Sequence, residues 1–138
     1  MSDSDYGIVR HVAVGYEEAV SLAREALKEQ GFGVLTEIDV KKTMKEKLDV
    51  DFKPYIILGA CNPHLAHRAL TAEPDIGLML PCNIVVYEEG PGAATVEAIS
   101  PMAALGVVDN DDLKDVADQA QAKLTAAMDA VAERAGTI

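Results

Sequence analysis

Two cysteines are the most reactive side chains in this chain, and their settings nearly match: Gly59-Ala60-Cys61-Asn62-Pro63 and Leu80-Pro81-Cys82-Asn83. Each thiol borders an apolar run of strand character, and each is followed by Asn. Cys61 also stands just before a predicted helix, with Asn62 as its N-cap and Pro63 in its first turn. Unpaired amide groups at a helix start favour an anion and lower a thiol pKa. The chemistry on offer is that of a thiolate: ligand capture, redox exchange or nucleophilic attack. The competing reading is a small hydrophobe packed at a strand–helix junction, the role of most free cysteines. Antiparallel pairing of the two neighbouring strands would bring the thiols to one rim of the sheet, within about 8 Å of each other. A parallel crossover would leave them roughly 20 Å apart.

Other polar groups suggest weaker alternatives. Cys61, His64 and His67 follow a spacing that could offer sulfur and imidazole to zinc or copper(I), but no fourth ligand is evident. Glu37 and Asp39 lie close in sequence to Lys41, Lys42 and Lys45, an arrangement suited either to proton transfer or to a plain surface ion-pair patch. Glu37 falls in a segment of buried character, and Lys53 is placed to reach it across the sheet. His11 reads as a surface or edge residue. No nucleophile elbow, phosphate-cradling glycine loop or His-Glu-x-x-His pattern occurs, so no residue is assigned a catalytic role and no cofactor is implied.

The bulk composition bounds the function. At 138 residues and 49% hydrophobic, the chain fits one domain, with an aliphatic core since aromatics make up only 4%. Acidic residues number 23 against 12 basic, a net charge of −11 that repels nucleic-acid backbones and anionic membranes. The start, Met1-Ser2-Asp3-Ser4-Asp5, is acidic and has no apolar leader core. No apolar run approaches the roughly 18 residues of a membrane span. A cytoplasmic protein with reduced thiols is expected.

The elements that must position the thiols follow from periodicity. Strands are predicted at Tyr6–Val14, with Ile8, Val12 and Val14 on one face, and at Phe32–Val40. The run Tyr55–Leu58, apolar on both faces, predicts a central strand. Further strands at Asn83–Tyr87 and Thr95–Ile99 flank the turn Glu88–Gly92 and should form a hairpin. Helices are predicted from Glu17 to Gly31, over Lys41–Leu48, from Pro63 to near Pro74, over Ser100–Leu105, and from a cap at Asp109 or Asn110 onward. The last carries the stripe Leu113, Val116, Ala117, Ala120, Leu124, Ala127, Met128 and Val131. One sheet with helices packed on it is the simplest arrangement, with one sheet face left for a second copy of the chain.

The segment from Glu37 to Glu88 resembles the domain of unknown function 302 family. The resemblance rests on Glu37-Ile38-Asp39-Val40, Lys45-Glu46-Lys47-Leu48 and Asp51-Phe52-Lys53-Pro54-Tyr55. It continues through Ile57-Leu58-Gly59-Ala60-Cys61-Asn62-Pro63, Leu65-Ala66, Ala69-Leu70, Ile76-Gly77 and Leu80-Pro81-Cys82-Asn83. His64 departs from the basic residue of the family pattern. The resemblance implies an α+β domain of β-α-β(4)-α order, usually standing alone and dimeric, from bacteria or archaea. It implies no activity. The expected fold is therefore one mostly antiparallel five-stranded sheet with two main helices and short helical segments. The expected function is a homodimeric small-ligand or redox-thiol binding domain, with Cys61, Asn62, Cys82, Asn83, Glu37 and Lys53 at its pocket. A cysteine-dependent enzyme and a non-catalytic interaction module are the alternatives.

Overall fold

The structure, a computed structural model, describes residues 3–138; Met1 and Ser2 of the acidic start lie outside them. Five strands form one fully antiparallel sheet: β1 (Gly7–Val12), β2 (Gly33–Asp39), β3 (Tyr55–Cys61), β4 (Cys82–Gly90) and β5 (Ala93–Ile99), in the order β1-β5-β4-β3-β2. Two main helices, α1 (Tyr16–Glu29) and α5 (Asp111–Ala135), pack together and cover one face of the sheet. The shorter helices α2 (Val40–Leu48), α3 (Pro63–Ala72) and α4 (Pro101–Leu105), with a 3-10 turn at Pro74–Met79, complete the α+β fold.

The alternation of each strand decides which face holds the core. Ile8, Val12, Leu58, Ile84, Val86, Val96 and Ala98 point to the helices and meet Ala19, Ala23, Leu27, Leu124, Met128 and Val131. The small residues of α1 and α5 let both helices lie close to the strands. Arg10 shares the inward face with Ile8 and Val12 and is only 4% exposed. Its guanidinium bonds Asp129 of α5 through Nε (3.1 Å) and Nη2 (2.8 Å), and Asp3 through Nη1 (2.7 Å). A second apolar cluster, including Leu65, Ala69, Ile76, Leu105, Val116 and Ala120, joins α3 and α4 to the first half of α5.

Several boundaries differ from the sequence reading. β1 stops at Val12, and Val14 packs on the core from beyond the strand. Val40 begins α2 rather than ending β2, because the Asp39 carboxylate caps the Lys42 amide. β3 is an interior strand, but the centre of the sheet is β4. β2 is an exposed edge, not a buried strand, and an irregular register between Val34 and Thr36 marks it. The β4–β5 hairpin turns through Gly92, whose φ of +70° suits glycine.

Candidate functional site

Cys61 ends β3 and Cys82 begins β4. Because these strands are antiparallel neighbours, with Ala60 opposite Cys82, the cysteines lie at the same end of the sheet. Both line a cavity of about 300 Å³. Leu65, Ala66 and Ala69 of α3 form one wall of this cavity, Leu105 of α4 with Val116 and Ala120 of α5 another, and Leu80 and Pro81 a third. Leu35 and Leu70, respectively 69% and 41% exposed, also line the cavity. Its lining carries no charged side chain.

Two local motifs build this end of the molecule. The first is the end of α1, where the Phe32 amide bonds the Leu27 carbonyl and the Gly31 amide bonds that of Lys28. This closure needs a left-handed residue, supplied by Gly31 at φ +83°, and it turns Phe32 into the cavity wall. The second is the start of α3, where Asn62 Oδ1 accepts the Leu65 amide at 3.3 Å and Pro63 occupies the first turn. Asn62 Nδ2 reaches the Gln30 carbonyl at 3.5 Å, so one buried side chain links the two motifs.

The electrostatics of the two thiols follow from this placement. Burial pushes the Cys82 thiol up to about 11, with the nearness of Cys61 adding to the effect. At neutral pH Cys82 is therefore a neutral thiol, and its sulfur behaves as part of the apolar wall. Both cysteines are half-buried, and Cys61 stands one residue before the cap-and-proline start of α3.

The other expected residues go elsewhere. Asn83 faces the opposite side of the sheet from Cys82, as strand alternation requires, and lies in a shallow depression with Tyr55 and Glu97. Glu37 is exposed on edge strand β2 and pairs with Arg24 of α1. Lys53 does not reach it: its Nζ sits 4.3 Å from the centroid of the Tyr87 ring. His64 and His67 do not join Cys61 in a metal site, since among the described residues no three metal-ligating side chains converge. His67 instead borders an outer groove with Arg68 and Asp112.

The helix-free face of the sheet holds groups that the sequence reading passed over. The fully buried Thr95 donates its hydroxyl to the Glu89 carboxylate, and His11 Nδ1 lies 2.8 Å from the Thr95 hydroxyl oxygen and 3.5 Å from Glu89 Oε1. Tyr55 and Tyr87 stack at 5.4 Å between ring centroids, with Phe52 tilted against Tyr55 at 6.2 Å. Glu97 stands opposite Val9 and Val85, and burial raises its carboxyl above the usual carboxylate range, with His11 opposing. The signal was present in the alternation Thr95-Val96-Glu97-Ala98, which places Thr95 and Glu97 on one face. It acquires meaning only once the neighbouring strands are known.

Comparison with known proteins agrees with this architecture. A crystal structure of an uncharacterized conserved DUF302 protein from Bacillus stearothermophilus superposes with a TM-score of 0.84 at 33% sequence identity, covering 92% of this chain and 98% of that one. Among curated proteins no match to the chain is found. The family model "Domain of unknown function DUF302" matches residues 8–131, nearly the whole sheet-and-helix unit, and the chain belongs to that family.

Proposed function

We propose that this protein is a binding domain for a small, uncharged, predominantly apolar ligand, held between α3, α4, α5 and the strand ends that carry Cys61 and Cys82. The single observation that carries this reading is the cavity itself. It measures about 300 Å³, has no charged lining residue and is bordered by exposed leucines. Protein interiors are close-packed, and an apolar space of this size has room for about ten water-sized groups. A charged ligand would have to leave water without a counter-charge, a large cost. Asn62 is already engaged at both ends of its amide, so the polar specificity available comes from the Cys61 thiol and the Thr36 hydroxyl. Catalysis through Cys82 is disfavoured, because a thiol that ionises near 11 supplies almost no thiolate at neutral pH.

The test is uptake of the neutral dye Nile red and its displacement by a series of n-alkanols, with native mass spectrometry of the freshly purified protein to report any retained mass. Binding should rise with alkanol length until the cavity is filled. Ala66→Phe, which places a ring inside the cavity from α3, should weaken dye binding at least tenfold while far-UV circular dichroism stays unchanged. Failure of the native protein to bind either probe, or full binding by a folded Ala66→Phe variant, would falsify the reading.

A further inference from the structure

We propose that the depression around Glu97, on the helix-free face of the sheet, is a binding site for a small organic ammonium: a primary amine in its charged form, carrying an apolar group. The site shares no lining residue with the cavity beside Cys61 and Cys82, so the inference stands apart from that reading.

Register builds the site. Cross-strand partners share a face, so Val9, Glu97, Val85 and Ile57 form one row across β1, β5, β4 and β3. His11, Thr95, Tyr87 and Tyr55 form the next row. The depression opens where Glu97 and Val85 meet Asn83, and it holds about 210 Å³. Tyr55 walls it from the β3 side. Tyr6, 69% exposed, has room to close over it from the β1 side. A Cβ placed on Gly7 would lie 3.4 Å from Glu97 Oε2, so the carboxylate reaches across to β1 and the bare glycine leaves that approach open.

The carboxylate in this depression is unmatched. Glu97 is the one charged side chain among the described residues that line it, and among them it has no hydrogen-bond or ion-pair partner. The cations of the neighbouring strands are engaged elsewhere. His11 turns its Nδ1 to Thr95 and Glu89, and Arg10 faces the helices, where it holds Asp3 and Asp129. Lys53 places its ammonium over the Tyr87 ring, 4.3 Å from the centroid. Tyr87 stacks on Tyr55, so the aromatic pair that borders the depression already holds one ammonium of the chain itself.

These groups select the occupant. An uncharged molecule seated here would strip water from a half-buried carboxylate and return no partner. An anion would meet that carboxylate and the field of a chain of net charge −11. An ammonium replaces the lost water with a charge-assisted hydrogen bond to Glu97, and the Asn83 carbonyl and the tyrosine hydroxyls offer further acceptors. Its apolar part lies against Val85, Ile99 and the tyrosine rings. The space suits about seven heavy atoms, taking roughly 30 Å³ for each. A metal ion is a poorer fit, because no three ligating side chains converge among the described residues.

Two-dimensional NMR of the isotope-labelled full chain at pH 7.5, titrated separately with benzylammonium chloride, benzyl alcohol and sodium benzoate, tests the site. The ammonium should bind about tenfold more tightly than the alcohol, and the benzoate should not bind. Shifts should centre on the Asn83 side-chain amide and the backbone amides of Gly7, Val85 and Glu97. Glu97→Gln should bring the ammonium down to the level of the alcohol, and Tyr55→Leu should weaken it about threefold, with circular dichroism unchanged in both. Glu46→Gln removes an exposed acid from α2 and Ala66→Phe fills the cavity; both should bind as the native chain does. A native chain whose resonances stay still up to about 20 mM ammonium, or a folded Glu97→Gln variant that keeps the native affinity, overturns the site. An equal loss in Glu46→Gln also overturns it, by showing only diffuse attraction to an acidic surface. Loss in Ala66→Phe alone assigns the binding to the cavity and overturns it as well.

Discussion

The two thiols begin from nearly the same sequence setting, and for Cys82 the dryness of its place in the fold decides the chemistry. Cys82 packs against the main core where β4 starts, and burial there disfavours the thiolate. Alkylation by iodoacetamide should therefore report the shift. In Cys61→Ala, labelling of Cys82 should stay slow at pH 8 and accelerate only toward pH 11, and fast labelling at pH 8 would contradict the buried site. The same shift has a consequence for stability. Cys82 ionises near 9.0 when unfolded and near 11 when folded, so the folded state holds its proton more tightly. Stability from this group is fully present below pH 9 and is lost as pH rises through 9 to 11, by on the order of 2 kcal/mol. Urea unfolding at pH 8 and pH 10.5 should show a smaller loss for Cys82→Ala than for the native chain. An equal loss in both would place the sulfur in a wetter site than the one described.

At the scale of elements, the cavity depends on how closely β2, β3 and β4 approach at Gly59. A Cβ there would collide with the Thr36 hydroxyl on one side and come within 2.8 Å of Pro81 Cγ on the other. Thr36 can rotate away, but the Pro81 ring cannot. Gly59→Ala should cost about 1–3 kcal/mol in chemical denaturation, as overpacking does. A neutral result would mean that the strands part freely there. How much was legible beforehand follows from the range of each signal. The Asn62-Pro63 cap, the hairpin at Gly90-Pro91-Gly92 and the stripe of α5 are set by residues within a few positions, and the fold class followed from them. The shared rim of Cys61 and Cys82 needed one added assumption, antiparallel pairing of β3 with β4, and the register supplies it. The exposure of β2 was not legible, because Phe32, Val34 and Leu35 read as a buried run. Phe32 is drawn in by the closure of α1, while Leu35 faces outward on an edge. The cavity wall was also hidden, since Leu105, Val116 and Ala120 lie more than forty positions beyond Cys61 and meet it only through tertiary packing.

Taken whole, the molecule holds its two ends together against its own charge. Arg10 ties Asp3 to Asp129 from within the fold, and beside it Val12 bridges to Thr137 while the Ile138 amide bonds the His11 carbonyl. The remaining ion pairs, such as Lys45–Asp49 and Lys114–Asp111, lie on the exposed surface, where water and salt screen them and they contribute little. Against them stands the mutual repulsion of 23 acids balanced by only 12 bases. Salt screens both, but long-range repulsion among unpaired carboxylates has more to lose than a handful of short surface contacts, and the buried Arg10 cluster is screened least. Raising sodium chloride from 20 to 300 mM should therefore stabilise the chain by about 1 kcal/mol, a shift of a few degrees in thermal midpoint. The scan belongs at low micromolar protein, where self-association contributes least. A midpoint that falls over this range would show that surface ion pairs outweigh the repulsion. A midpoint that rises by the same amount in Arg10→Met as in the native chain would confirm that the buried cluster stands outside the screened field.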